Sequence, residues 1–364
     1  MSARKNLSIE ALLKKRRILI TCGTGGVGKT TLSAAVAMRA AMMGKKTVVV
    51  TIDPAKRLST SLGLDSLGDH PTDITPLLKK AGQKVGKEVP GTLEAIIPDT
   101  RQTLERFFVG LTTHPTLAQR LVNNPLFQIF AKEFSGTNEY MAMQKLLTLV
   151  ESGKYDCIIL DTPPSRNTLD FLGAPKLLSQ FFDAQLIHWL ITPSNRIVAA
   201  GMKKAISMLE RLTGAGFMGH LLDFVGALFE VREAFTSNMK RIIDLMESEQ
   251  VGFVMVTGPN PDSAAELGHF RQTLREHRFR FDGLLVNRTL QHLEPPTSGT
   301  EGTEMTAGIE ILRALQAREK LAIEKLSQTL GAERDELLTA PELVRDVHSV
   351  EDLAYVAMAL EAHA

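Results

Sequence analysis

Short, apolar, β-branched runs recur along the chain and predict the strands of a buried sheet. Amphipathic stretches of helical period separate several of these runs, which is the rhythm of βαβ units. The six runs lie at 16–23, 46–53, 91–98, 155–162, 252–259 and 281–288. A further short strand is expected near Glu336–Leu343, before a last helix at about 349–362. The pattern therefore predicts an α/β fold with a doubly wound, mostly parallel sheet, which binds its ligand at the carboxyl ends of the strands.

Two stretches between the predicted strands are too long to be simple crossovers. Residues 100–150 and 174–249 are rich in helix-forming residues, and each separates consecutive strands by more than one helix requires. They predict an inserted helical subdomain at one edge of the sheet. The rest of this single domain, 1–364, is expected to form its core, at about 15–99, 151–173 and 250–364.

One helical segment is unusually apolar. It reads FMGHLLDFVGALFEV at 217–231, and five methionines lie in or near it, at Met202, Met208, Met218, Met239 and Met246. A helical mini-core accounts for this composition. The alternative is an adaptable, methionine-rich groove for a hydrophobic client.

Composition and charge describe an ordinary globular protein. The 364 residues are 44% hydrophobic and 23% charged, with a net charge of +1, so no excess of positive charge points to nucleic acid. No apolar run approaches the roughly 18 residues that a membrane span needs, and the basic N-terminus lacks the apolar stretch of a signal peptide. We therefore expect a cytoplasmic location. The basic cluster Lys14–Arg17 is interpreted as solvated, not as a membrane contact.

The two cysteines, Cys22 and Cys157, both fall inside predicted strands. Small buried hydrophobic residues are the expected role of cysteines in such positions. The sequence contains no C-x-x-C pair. A site of three thiols cannot be assembled within one chain.

The most specific chemical signal is the glycine-rich segment GTGGVGKTT at 23–31, which stands between a predicted strand and a predicted helix. Glycines there let consecutive backbone N–H groups converge on phosphate oxygens. Lys29 could reach the β- and γ-phosphates of a nucleotide, and the Thr30 hydroxyl could hold Mg²⁺. The predicted nucleotide-binding residues of this loop are Gly23, Thr24, Gly25, Gly26, Val27, Gly28, Lys29, Thr30 and Thr31. A glycine turn in some other α/β protein is the alternative.

Two aspartates end predicted strands beside this loop. Asp161 opens the segment DTPPS and is placed to hold Mg²⁺, directly or through water. Asp53 opens DPAKRLSTSLG and could orient the attacking water or contact the metal's water shell. A helix N-cap is the structural alternative for each. Asp53 and Lys29 are thus the catalytic candidates, and Thr30 and Asp161 the metal candidates, with Asp53 as a further possible metal contact.

Four segments of the chain resemble the motifs of the arsenite-pump and tail-anchored-protein-targeting ATPases, and they occur in the same order. They read GTGGVGKTT, DPAKRLSTSLG, DTPPSRNTLDFL and LLVNR. These belong to the P-loop ATPases with a deviant glycine loop, which include the Min and Par positioning proteins. The resemblance implies Mg²⁺-dependent ATP hydrolysis and a homodimer that closes around nucleotide. It also implies that Asp53 positions the attacking water and that Asn287 reads the adenine.

The sequence departs from that family in four ways. In the family, a lysine at the second position of the glycine loop reaches the phosphates bound by the partner subunit, and this chain has Thr24 there instead. Lys56, Arg57 and Arg166 are candidates to supply the positive charge that this lysine would bring. The zinc-bridging C-x-x-C is absent, so no zinc is predicted. Two buried cysteines cannot form the soft trithiol site that As(III) requires. Finally, a glutamate near the nucleotide is replaced by Asn260, which could hydrogen-bond a ribose or base but carries no charge.

Several functions remain compatible with these motifs. The ATPase could energise an anion pump, or it could carry a hydrophobic client; in both cases the partner is an unknown protein client or membrane partner, and no nucleic acid is expected. A Min- or Par-like positioning or scaffold protein is the alternative, but the C-terminal segment SVEDLAYVAMALEAHA is acidic and apolar where such proteins are basic. A kinase or synthetase would need an acceptor site that the sequence does not indicate.

Overall fold

The fold is described from a computed structural model of the chain. It describes residues 8–52, 57–64, 67–112, 114–133, 137–162, 216–294, 303–330, 337–343 and 347–362. No described helix combines the length and the apolarity that a bilayer crossing requires.

An eight-stranded sheet organises the chain, with the spatial order β3-β4-β2-β5-β1-β6-β7-β8. The strands are β1 Ile18–Gly23, β2 Lys46–Thr51, β3 Thr72–Asp73, β4 Thr92–Ile96, β5 Cys157–Asp161, β6 Val251–Thr257, β7 Phe281–Thr289 and β8 Leu337–Pro341. All neighbours pair in parallel except β3, which pairs antiparallel with β4 at the edge. This confirms the predicted α/β class with its mostly parallel sheet. The sequence missed only β3, because two residues are too few for an apolar run to be recognised.

Strand β1 lies inside the sheet, and the chain winds outward from it in both directions. All residues of β1, β5 and β6 are buried, as expected for strands covered on both faces. Their carboxyl ends are the place where a doubly wound sheet binds its ligand.

The described helices surround this sheet or belong to a second unit. In chain order they are α1 Ile9–Lys15, α2 Lys29–Met42, α3 Arg57–Ser61, α4 Thr75–Lys84, α5 Thr100–Gly110, α6 Pro115–Val122, α7 Pro125–Glu133, α8 Thr137–Glu151, α9 Phe217–Glu247, α10 Ala264–Glu276, α11 Thr303–Leu330 and α12 Val350–Ala362. A short 3₁₀ turn, Pro261–Ser263, precedes α10.

Helices α2 and α12 form one layer of the sheet's core. Most of α2 is buried, and its alanines allow neighbouring elements to approach closely. The apolar face of α12, including Leu353, Ala357 and Leu360, is buried and packs on α2 and α4. The predicted last helix is therefore present, and it belongs to the core.

The chain divides into two compact units. The first contains the sheet and comprises Met1–Pro98, Leu149–Leu169 and Met246–Ala364; the second comprises Asp99–Thr148 and Asp170–Leu245.

The second unit has its own aromatic core. The rings of Phe107, Phe108, Phe127, Tyr140 and Phe235 meet edge to face or stacked, with centroids between 5.3 and 6.2 Å apart. Such pairs stabilise a core beyond the area that they bury.

Helix α9 contributes Leu228 and Val231 to the buried side chains of this unit, while Leu222 and Phe229 on the same helix are exposed. Met239 and Met246 are buried, whereas Met202 and Met208 lie outside the described residues. The helical mini-core and the methionine-rich groove therefore both stay predictions for 217–231, since the Met218 side chain also lies outside the described part of the structure.

A buried ion pair joins α1 to the start of β7. The Arg16 guanidinium donates to both carboxylate oxygens of Asp282, at 2.6 and 2.8 Å, and to the Glu249 carbonyl at 2.6 Å. Asp282 raises the pKa of Arg16 through these hydrogen bonds. The interpretation of Lys14–Arg17 as solvated is therefore wrong for Arg16, which is only 5% exposed.

Candidate nucleotide site

The glycine loop follows β1 and leads into α2, as the sequence predicted. Gly23 has φ +146°, and a side chain there would place its Cβ 1.9 Å from the Val256 carbonyl oxygen of β6. Gly28 has the left-handed φ of +84° and is the N-cap of α2. Only glycine fits both positions without strain or collision. The loop thus leads into the N-terminus of α2, the end of a helix whose free backbone N–H groups can bind anions.

Asn287 fixes the loop from the side. Its Nδ2 donates a 2.8 Å hydrogen bond to the Val27 carbonyl, and a Cβ on Gly28 would lie 2.5 Å from the same Nδ2. Asn287 lies near the end of β7, so the hydrogen bond of its side-chain amide connects the glycine loop to the sheet.

Lys29 is the first residue of α2, and its side chain folds back over the loop. It is buried, and its Nζ lies 3.5 Å from the Gly23 carbonyl oxygen. This is a weak hydrogen bond, which a phosphate oxygen could replace with a stronger, charge-assisted one.

Asp161 ends β5 with its carboxylate among three hydroxyls. Thr30 and Thr51 donate to its Oδ2 at 2.7 and 2.8 Å, and Ser33 donates to its Oδ1 at 3.3 Å. Burial raises the pKa of the Asp161 carboxyl above its usual range, against the opposing effects of the Thr30 hydrogen bond and the Lys29 charge. Three hydroxyl donors thus compensate part of the cost of burying this carboxylate.

The Thr30 and Asp161 side chains suit a hard cation. A hydroxyl and a carboxylate oxygen 2.7 Å apart are the ligand types that Mg²⁺ accepts, and Mg²⁺ takes few protein ligands because phosphates and water complete its shell. Among the described residues, no three His, Cys, Asp or Glu side chains form a metal cluster.

Two clefts meet at the glycine loop. The larger, of about 310 Å³, is lined by residues 24–26 and 28–31 of the glycine loop and of the start of α2, by α3 and by Val347 and His348. The smaller, of about 210 Å³, is lined by Asn287, Leu32 and the segment after β8. Gly28, Thr31, Arg288, Val347 and His348 line both clefts. Lys29 lines the larger cleft and Asn287 the smaller one.

The other predicted residues lie in different situations. Asn260 is exposed, its side chain accepts from the Asp262 N–H as a turn cap, and it lines neither cleft. Arg57 lines the larger cleft. Asp53, Lys56 and Arg166 lie outside the described residues, so their predicted roles stay predictions.

The structure adds residues that the sequence analysis missed. Thr51 and Ser33 reach Asp161, and Thr51 could have been recognised, since it ends β2 two positions before Asp53 in the sequence. Arg288 and His348 line both clefts. Nothing in the local sequence around His348 indicates that this distant segment returns to the loop.

The two cysteines are buried thiols in separate strands. Burial raises the pKa of both, that of Cys157 to about 12. The expected role as small buried residues is confirmed.

The glycine loop between β1 and α2, with the Thr30–Asp161 pair beside it, defines a P-loop nucleotide-binding protein. A family model described as "Anion-transporting ATPase" matches residues 16–298. The chain therefore belongs to the anion-transporting ATPase family, which confirms the resemblance seen in its motifs.

Relatives come from bacteria and eukaryotes. A "Putative arsenical pump-driving ATPase" of Chlorobaculum tepidum is 26% identical over 281 residues, 76% of this chain and 62% of that protein. "ATPase GET3B" of Arabidopsis thaliana is 27% identical over 301 residues, 78% of this chain and 66% of that protein. "ATPase ASNA1 homolog 1" of Paramecium tetraurelia is 31% identical over 159 residues, 43% of each chain. The chain thus spans less than two thirds of the length of the Chlorobaculum protein.

Proposed function

We propose that this chain hydrolyses ATP in a Mg²⁺-dependent reaction at the glycine loop. The observation that carries the proposal is the arrangement of Lys29, Thr30 and Asp161, which brings a phosphate-binding lysine and two hard oxygen ligands together at the carboxyl ends of β1 and β5. Family membership supports the same activity.

The residues would divide the work as follows. Lys29 and the loop N–H groups bind the β- and γ-phosphates, while the smaller cleft, with Asn287, takes the adenine. Thr30 and Asp161 would hold Mg²⁺, which when bound offsets the negative charge of the phosphates. Asp53 follows Ile52, whose N–H donates to the Asp161 carbonyl at 3.1 Å, and we assign Asp53 the positioning of the attacking water.

The missing lysine at Thr24 needs a substitute charge. Thr24 is buried in the larger cleft, and among the described residues its hydroxyl has no hydrogen-bond partner. A neutral hydroxyl cannot offset the phosphate charge that develops during transfer. Arg57 lines the same cleft, so we propose that Arg57 supplies this charge; Lys56 and Arg166 remain alternatives.

We further propose that ATP drives a homodimer that acts on a protein partner. The names of the relatives, arsenical pump-driving ATPases and GET3B, support a partner-driving ATPase. Two buried cysteines in separate strands do not supply the three soft thiol ligands expected of a metalloid site, which argues against a metalloid-driven pump. Exposed Leu222 and Phe229 on α9 are compatible with a hydrophobic client.

A Min- or Par-like positioning role is less well supported, because its membrane contact needs a basic amphipathic helix that is free to leave the core. The apolar face of α12 is instead buried on α2 and α4.

The hydrolysis rate and the particle size in solution test this proposal together. Wild type should hydrolyse ATP only with Mg²⁺ and should dimerise with ATP. Asp53→Asn should bind ATP but turn over about 100-fold more slowly or worse, because the base that orients water is lost. Arg57→Ala should also slow turnover with ATP binding retained. Wild type that binds Mg²⁺-ATP without hydrolysis and without a change in size would overturn the proposed switch.

A further inference from the structure

Strand β7 contains a bulge at the edge of the nucleotide clefts. Val286 pairs with Thr339 of β8 and Thr289 pairs with Pro341. Between these two pairs the chain advances by three residues along β7 but by only two along β8. The extra residue falls at Asn287–Arg288, and Arg288 has the left-handed φ of +63°, which is uncommon for a residue other than glycine. Bulges of this kind re-aim side chains and occur often next to active sites.

The bulge gives its two residues different positions. Asn287 reaches the glycine loop and donates to the Val27 carbonyl. Arg288 lines both clefts, at the place where they meet. A strand without the extra residue would alternate its side chains between the two sheet faces.

Arg288 makes one weak contact at the junction of the clefts, with Glu342. Its Nε lies 3.7 Å from Glu342 Oε2, and the two side chains are 54% and 43% exposed. That distance is too long for a hydrogen bond, and exposed ion pairs of this kind contribute little to stability. Glu342 itself is fixed through its backbone, since its N–H donates to the Thr289 carbonyl at 2.9 Å.

The larger cleft favours an anion at this junction. Its described lining includes the cations Lys29, Arg57 and Arg288 and no carboxylate. Lys29 lies at the phosphate end of the loop. Gly28 and Thr31 line both clefts as Arg288 does, so in the proposed nucleotide site these residues lie where the phosphates lead to the ribose.

We propose that Arg288 binds the α-phosphate of the nucleotide and leaves Glu342 when it does so. The inference rests on the proposed nucleotide site and adds a binding residue to it. A guanidinium can donate two parallel hydrogen bonds to a phosphate, which is a stronger contact than its 3.7 Å approach to Glu342. Arg288 then adds a second cation to the cleft that Lys29 also lines.

The test compares ligands that differ only at the α-phosphate. Competition against a fluorescent ADP analogue gives affinities for ADP, AMP and adenosine in wild type, Arg288→Gln and Arg288→Lys. Arg288→Gln should weaken ADP and AMP by about 10-fold and leave adenosine unchanged. Arg288→Lys should recover part of the lost affinity, because lysine keeps the positive charge but lacks the planar guanidinium that donates two parallel hydrogen bonds.

Two further variants complete the test. Glu342→Gln should bind AMP as tightly as wild type or more tightly, because it removes the competing carboxylate. The matched control is Arg278→Gln, since Arg278 is the other described non-glycine residue with a left-handed backbone, at φ +58°, and lines neither cleft. It should bind all three ligands as wild type does.

Three outcomes would overturn the inference. They are an unchanged AMP affinity in Arg288→Gln, an equal loss for adenosine and AMP, and an equal loss in Arg278→Gln. Wild-type protein that binds neither ADP nor AMP would instead overturn the proposed nucleotide site, and this inference with it.

Discussion

Asp161→Asn is expected to remove most ATP hydrolysis while leaving the nucleotide-free protein at least as stable as wild type. The carboxylate is fully buried at the end of β5, and burial raises its pKa, so its charge lowers the stability of the protein without bound nucleotide. Asparagine removes that charge and can still accept hydrogen bonds from Thr30 or Thr51. Loss of a carboxylate that supports Mg²⁺ typically lowers activity by about 10- to 100-fold.

The pH dependence of this stability difference has a definite sign. Folded Asp161 holds its proton to a higher pH than the unfolded chain, where the pKa is about 3.9. The stability that it contributes is therefore present below that pH and is lost as the pH rises through the raised folded pKa. The difference in thermal midpoint, Asp161→Asn minus wild type, should be smallest near pH 4 and should grow toward pH 8.

A control at the other end of the same strand separates a general effect of losing an aspartate from a role in the site. Asp156 precedes β5, is exposed and accepts from the Lys46 N–H at 2.9 Å. Asp156→Asn should keep wild-type hydrolysis. An Asp161→Asn protein with wild-type hydrolysis would contradict the metal role assigned to this carboxylate.

Arg16→Ala is expected to be the most destabilising of the single substitutions considered. The Asp282 carboxylate, only 3% exposed, would lose its bidentate partner, and breaking a buried pair from one side costs about 3–5 kcal/mol. Lys15 also contacts Asp282, at 3.0 Å, so the lower end of that range is expected. Urea unfolding of wild type and variant gives the difference in the free energy of unfolding.

The matched control is Arg101→Ala, which breaks the solvent-exposed pair between Arg101 and Glu105 on α5. Its expected cost is below about 0.5 kcal/mol. Equal effects of the two substitutions would mean that the Arg16–Asp282 pair does not stabilise this corner of the sheet.

The neighbouring Gly252 is part of the same arrangement, since a Cβ there would lie 2.0 Å from Asp282 Oδ2.

Periodicity was sufficient to predict the central sheet, because strands buried on both faces leave continuous apolar runs such as 155–162 and 252–259. The glycine loop and Asp161 could be predicted because their chemistry lies within short segments at strand ends. Local pattern could not predict Arg288, because its position depends on a bulge set by pairing with β8. The burial of Arg16 was missed for a related reason: its partner Asp282 lies 266 residues away.

Equilibrium binding of Mg²⁺-ATP to wild type and Lys29→Met tests the central claim most directly. In the proposed site Lys29 binds the phosphates through its Nζ, so its loss should weaken ATP binding by about 100-fold without lowering the thermal midpoint. Calorimetry measures the affinity and a thermal scan the stability of the same samples. Tight binding by wild type with this loss in Lys29→Met is the predicted result; wild type that does not bind Mg²⁺-ATP, or a variant that binds it equally well, would contradict the account.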